Sequence, residues 1–340
     1  MRQMREKPRK ATVLMAIRRR IHKKHICVVF LGMTTFLIYL ISESRNPETL
    51  ELGQPQWDDP GPYHVAYPRN YKFIMDDTPV CKSRDPFLLL MVVVAPADVA
   101  ARDVIRKTWA KEKVVLGQMV DILFLMGLPT GAHAEQQQQK LQAENQQNHD
   151  MIQSNFEDST YNLTIKTMVM MEWLAANCQK TTFVMKVDCD IFLNVQNLVK
   201  HLLDPSTAKQ NYVTGLVIEN RPVLRNPYIR FYMPREIVAE PVYPPYPLGT
   251  AYVMSLDVAV NILTVSREVK PINIVDVYLG MCLKHLNVSP INSPEAYTFV
   301  KDTIHPLSNC SLSKTVAVAT VDTTMMMNYW KKSKDPETKC

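Results

Sequence analysis

Three largely apolar runs, at 87–94, 120–126 and 182–187, constrain this chain more than any other feature. A short apolar run without alternation suits a strand covered on both faces. Stretches of helical spacing lie between and after them. Residues 98–111 place Val99, Val104, Ile105 and Trp109 to one side, with Asp98 in position to cap the first turn. Residues 161–178 repeat Leu163, Met168, Met171, Trp173 and Leu174 at helical spacing, and 197–203 reads as a further helix. The glutamine-rich stretch 132–149 reads as an exposed helix. Strands alternating with helices predict an α/β domain built on a mainly parallel sheet. Ligands of such sheets bind at the carboxyl ends of the strands.

The 340 residues suffice for one large domain or two small ones, with 46% of them apolar. There are only 9 glycines, no Gly-rich phosphate loop and no internal repeat. The net charge of +6 is unevenly placed. Ten Lys/Arg stand against one acid, Glu6, within residues 1–25, leaving 29 Lys/Arg and 32 Asp/Glu for the rest. The main domain is therefore slightly acidic, and nucleic acid is not an expected partner.

Residues 26–41 are uncharged and apolar. As a helix they span roughly 24 Å, short for a full bilayer core but extended by Lys23, Lys24 and His25. No small-residue cleavage site follows, and a buried helix needs no flanking positive cluster. The reading is a cytoplasmic basic tail at 1–25, a signal anchor at 26–42 and a lumenal remainder, oriented by the positive-inside rule. Residues 43–80 hold six prolines and no periodicity, which predicts an extended stem before a domain at 81–340. Six cysteines lie in the lumenal part: Cys81, Cys178, Cys189, Cys282, Cys310 and Cys340. In an oxidising compartment they are expected to pair, in an order the sequence leaves open. Sequons at Asn162, Asn287 and Asn309 agree with a lumenal placement.

Three constellations carry chemistry. Asp188 and Asp190 follow the run at 182–187, one residue apart. Carboxylates so placed converge on one hard divalent cation and share it with a substrate diphosphate. The bland alternative is a solvated turn. Asp276 is framed by Ile274, Val275 and Val277. Desolvation there favours a general base, while the position also suits the cap of a helix at 277–286. Arg102 and Arg106 flank the first strand–helix connection, where they meet nucleotide oxygens or simply face solvent. Cys189, between the two aspartates, reads as a packing residue or an unpaired thiol.

Taken in order, seven segments resemble the β-1,3-galactosyltransferase family, glycosyltransferase family 31. They are residues 102–109; Phe124-Leu125-Met126-Gly127; Asn155-Phe156-Glu157-Asp158; Tyr161-Asn162-Leu163-Thr164-Ile165-Lys166-Thr167; 183–194; Phe231-Tyr232-Met233-Pro234; and 276–280. The resemblance covers about residues 81–340. It implies a GT-A fold, a UDP-sugar donor with Mn²⁺, a glycan acceptor on glycoprotein or glycolipid, and a single-pass type II protein of the Golgi membrane. It assigns Asp188 and Asp190 to the metal and donor, Asp276 to the base, and Arg102 and Arg106 to the nucleotide. The implied reaction is inverting β-1,3 transfer of galactose. The alternatives are transfer of N-acetylglucosamine, or an impaired member that binds glycans or a partner.

Four positions depart from the family pattern. Val275 replaces a glutamate, Pro247 a cysteine, Cys189 a polar residue, and Ala319 a histidine. The resemblance places all four near the site, where they bear on rate.

Overall fold

The computed structural model describes residues 63–335, apart from 66, 230, 296 and 302–305. The tail and anchor at 1–42 lie outside the described residues. Among the described residues, no helix is long and apolar enough to cross a membrane.

The chain opens with β1 (Phe73–Met75) and β2 (Leu88–Val93), then α1 (Val99–Lys107), β3 (Val114–Val115), β4 (Gln118–Leu128), α2 (Ala134–Asn148) and β5 (Met151–Glu157). It continues through α3 (Leu163–Asn177), β6 (Phe183–Asp188), β7 (Ile191–Leu193), α4 (Val195–Leu202), β8 (Val213–Ile218), β9 (Tyr246–Ser255) and α5 (Leu256–Val265). It closes with α6 (Val275–His285), β10 (Ile291–Asn292), β11 (Thr298–Val300), α7 (Asn309–Lys314), β12 (Thr315–Ala319) and α8 (Thr323–Ser333).

The main sheet runs β1-β5-β4-β2-β6-β9-β8-β10, with β3 hung on β4. The four strands β5, β4, β2 and β6 are mutually parallel. Strand β9 turns antiparallel to both β6 and β8, and β1 is antiparallel to β5. The expectation of a mainly parallel sheet therefore holds for its centre and not for its flanks. No helix joins β8 to β9, so the crossover that parallel pairing needs is missing there. A second sheet, β11-β12-β7, packs beside the end of β6.

Every residue of β2 is buried. Leu88, Leu90 and Val92 join Trp109, Phe124 and Phe192 in one core, while Leu89, Met91 and Val93 join Trp173, Ile262 and Leu283 in the other. This two-sided burial explains the unbroken apolar run. Helix α3 is apolar nearly all round, because it lies between the sheet and α5 and α6.

The stem expected at 43–80 is corrected at its end. Tyr63 is buried, Val65 N donates to Pro271 O at 2.9 Å, and β1 pairs with β5. Residues 63–80 are thus part of the folded domain. The aperiodic sequence hides this, because the segment buries isolated residues from surface loops and one three-residue edge strand.

Cys81 and Cys178 form a disulfide that closes a loop across 97 positions and ties the start of the domain to the end of α3. Cys310 is also disulfide-bonded, whereas Cys189 and Cys282 are free thiols. Cross-linking so long a loop removes much unfolded-state entropy. Cys178→Ser is expected to lower stability by about 2–4 kcal/mol, read as a lower urea midpoint of the oxidised protein; an unchanged midpoint would show the bond to be dispensable.

Candidate active site

Strand β6 runs beside β2 in register, so that Val93 lies next to Asp188 at the carboxyl ends of both. Apolar pairing stops there because the chain leaves the sheet. Asp190 is exposed in the turn that follows, before β7. That turn is pinned from behind: Thr320 donates to the Asp190 carbonyl through its backbone N at 2.8 Å and its hydroxyl at 2.7 Å.

Asp276 reaches the same place from another element. It sits in the first turn of α6, whose cap is Ile274. The capping alternative is therefore not realised. Its Oδ2 accepts instead from the backbone N of Gly249, in β9, at 2.9 Å. A Cβ at Gly249 would lie 2.1 Å from Asp276 Oδ1. Gly280 stands four residues on, on the same helix face. There a Cβ would meet Pro245 O and Tyr246 Cβ, each at 2.8 Å. The Asp-x-x-x-Gly spacing thus lets α6 lie directly on the start of β9 with its carboxylate in front.

Asp188 and Asp276 line one cavity of about 210 Å³, together with Lys166, Lys186, Gly249 and Val275. Lys186, only 8% exposed, donates to Asp188 Oδ1 and to the carbonyl of Gly249. Lys166 is the one cation of a largely apolar helix. It donates to Val94 O at 2.8 Å and to both oxygens of Asp158 at 3.1 and 2.8 Å. Asp158 in turn accepts from Gly127 N at 2.7 Å. This buried pair ties α3 to the ends of β2 and β4 under the cavity. Thr164, on the same helix, donates to Ile272 O at 2.8 Å and ties α3 to the approach to α6.

Burial raises the Asp276 carboxyl above the usual aspartate range, and Asp188 adds to this, against the Gly249 N–H and Lys186. Burial, then the neighbouring Asp188, raises Asp190 as well. Carboxylates so spaced are of a kind that a hard cation can bridge. Burial pushes the Cys189 thiol up to about 12, with Asp98, Asp190 and Asp188 adding to the rise. It is a packed thiol, not a nucleophile.

Arg102 and Arg106, expected to meet the nucleotide, pair with acids of the protein itself. Arg102 is fully buried and clasps Glu144 through Nε and Nη2 at 2.8 and 2.7 Å; its Nη1 donates to Ala95 O at 3.1 Å. Arg106 clasps Asp150 at 2.8 and 2.9 Å and also reaches Glu144 at 2.7 Å. Arg102 braces the loop after β2 from inside, through the carbonyls of Ala95 and Pro96, and Arg106 ties α1 to Glu144 and Asp150. Their partners come from the far end of α2, about forty positions on, which no local pattern announces.

Lys186 and Lys166 were missed by the sequence reading. A signal existed for each, since both are the lone cation of a largely apolar segment that folds as a buried element. The four departures also find their places. Val275 lines the cavity beside Asp276. Ala319 pairs with Ile191, next to Asp190, and offers no ligand. Pro247 lies in β9 opposite Val217. Cys189 packs against the core between the two aspartates.

Asp188 at a strand end faces the desolvated Asp276 across one cavity, a layout that suits group transfer, while Asp190 does not line that cavity. The galactosyltransferase family model matches residues 100–294, which include Lys166, Lys186, Asp188, Asp190, Gly249 and Asp276. The chain belongs to that family. It is 33% identical over 269 residues to β-1,3-galactosyltransferase 2 of Homo sapiens, covering 78% of this chain and 63% of that one. It is 37% identical over 227 residues to β-1,3-galactosyltransferase 1 of Mus musculus, covering 66% of this chain and 68% of that one. The match thus spans less than two thirds of the length of the β-1,3-galactosyltransferase 2 sequences. Among solved structures, the WbbM bifunctional glycosyltransferase superposes with a TM-score of 0.42 and 8% identity over 74% of this chain and 50% of that one. That likeness is too slight to carry an argument.

Gly249→Ala tests the placement of the carboxylate. The added methyl displaces Asp276, so sugar transfer is expected to fall about 10²-fold with the melting temperature little changed. A folded variant at full rate would remove Asp276 from the chemistry.

Proposed function

We propose that this chain is an inverting, GT-A-like transferase that moves galactose from UDP-galactose in β-1,3 linkage to a terminal sugar of a glycoprotein or glycolipid. The observation that carries the reading is the single cavity holding Asp188 and Asp276, with Lys186 between them. Direct displacement needs a base on one side of the reacting carbon and a cationic environment for the leaving diphosphate on the other.

In this mechanism the acceptor 3-hydroxyl loses its proton to Asp276 as its oxygen bonds to C1 of the donor sugar. The bond from C1 to the diphosphate oxygen breaks, and its electron pair leaves with UDP. The ammonium of Lys186, beside Asp188, would contribute positive charge on the donor side. Burial makes Asp276 a stronger base than an exposed aspartate, which suits general-base work.

Mn²⁺ is the metal proposed for the site. Among the described residues, no three His, Cys, Asp or Glu side chains form a metal cage. Two carboxylates one residue apart fit a hard cation that completes its shell with substrate phosphate and water. Asp188 and Asp190 would hold it, and it would supply charge neutralisation at the diphosphate. Golgi residence, with residues 26–42 as the anchor and the domain in the lumen, belongs to the same proposal. It draws on the basic tail and the apolar segment.

The competing reading is glycan or partner binding without turnover. It draws on Val275 and Ala319, which leave the site one carboxylate and one imidazole short of the family pattern. Turnover of UDP-galactose and UDP-N-acetylglucosamine by the secreted domain, with Mn²⁺ and an acceptor panel, decides between them. Transfer from one donor, lost with a chelator, establishes the enzyme; a folded domain that transfers neither sugar favours the binding role.

Two variants test the roles. Asp190→Ala is expected to lose Mn²⁺-dependent UDP-galactose binding, and undiminished binding would clear Asp190 of metal contact. Asp276→Asn is expected to keep donor binding and lose transfer. The base must be deprotonated, so wild-type activity is present above the raised Asp276 pKa and is lost as pH falls through it. The acid limb of kcat/KM should therefore lie above the ordinary aspartate value of about 3.9; a limb at or below that value would contradict the assignment.

A further inference from the structure

Lys186 has no role in the reading of the site beyond its charge, yet its contacts join both halves of it. It lies on the central strand β6, next to Tyr252 of β9 in register. A charge so deep in a sheet is costly unless it is fully paired. One ion pair with Asp188 would answer that cost. The ammonium also donates to the Gly249 carbonyl, on the opposite wall. Gly249 is the residue whose N–H holds Asp276 and which has no room for a side chain against that carboxylate.

Building on the transferase reading, we propose that Lys186 is a positioning residue of the reaction: its ammonium ties the donor-side carboxylate, Asp188, to the backbone that holds the base, Asp276. One side chain thus sets the separation and the mutual charge of two carboxylates carried by different elements. Lys166 cannot substitute, because its hydrogen bonds go to Val94 and Asp158. The other titratable groups acting on Asp276 or lining its cavity are Asp188 on β6, Tyr246 and Tyr252 on β9, and Lys166 on α3. Tyr252, fully buried with no hydrogen-bond partner for its hydroxyl, cannot take over the neutralising role. Without Lys186, two carboxylates face each other across the cavity and Gly249 loses its anchor.

The experiment compares Lys186→Met, Lys186→Arg and wild type. In the methionine variant kcat is expected to fall about 10²-fold with acceptor KM nearly unchanged. The acid limb of kcat/KM is expected to move up by about one pH unit. Lys186→Arg should return the limb toward its wild-type position while recovering only part of kcat, since the guanidinium is charged but differently shaped. A methionine variant whose only change is a higher donor KM would overturn the proposal and leave Lys186 a phosphate contact.

Should the wild-type domain transfer no sugar, the transferase reading fails and the linkage is read from stability alone. Urea unfolding of Lys186→Met, Asp276→Asn and the double variant forms a cycle. Removing the Asp276 charge is expected to offset much of the loss caused by Lys186→Met. Strictly additive effects would overturn the tie between the two residues.

Discussion

The molecule depends on the side-by-side burial of β2 and β6. These two parallel strands run in register from Leu88 beside Phe183 to Val93 beside Asp188, and they are covered on both faces. Full burial requires every backbone group there to be paired and nearly every side chain to be apolar. Where the strands leave the sheet, that requirement lifts on one edge only. The first residues free to be polar are therefore Asp188 and its neighbours. The site lies at this boundary because charged groups are stable there only if they pair with one another.

That pairing is economical. Asp188, Lys186, the Gly249 backbone and Asp276 form a continuous chain across three elements. Lys166 and Asp158 form a second, closed unit beneath it. Both units contribute to the cavity lining, and the second, through Lys166, also holds α3 against the strand ends. Arg102 and Arg106 form a third unit with Glu144 and Asp150, in which Arg102 holds the loop after β2, and neither lines the cavity. Lys186 and Lys166 look alike as sequence, each a lone cation in a largely apolar segment, whereas Arg102 and Arg106 stand in a charged helix. Their partners divide them into chemistry and support.

The departures from the family pattern read differently once placed. Ala319 and Cys189 flank the carboxylate pair, and Val275 flanks the base. All three positions carry side chains with fewer polar groups to offer a substrate than the residues the resemblance leads one to expect there. Pro247 cannot form a disulfide, whereas Cys81 and Cys178 form one elsewhere in the domain.

Much of the architecture was legible in the residues. The runs at 87–94, 120–126 and 182–187 became β2, β4 and β6, and the spacing at 161–178 became α3, because a fully buried strand or helix writes its environment into its composition. Asp188 and Asp276 were legible too, as acids at element boundaries beside apolar runs. The antiparallel strand β9 was not legible, nor was the folding of residues 63–80, because both are held by pairing with distant strands and carry little local pattern. The distinction between Arg102 and Lys186 was equally hidden. Sequence alone determined which segments had to be buried and where charge was allowed to appear. Only the tertiary structure decided which charges meet, because hydrogen bonds and ion pairs act over a few ångströms between residues that the chain separates by tens of positions.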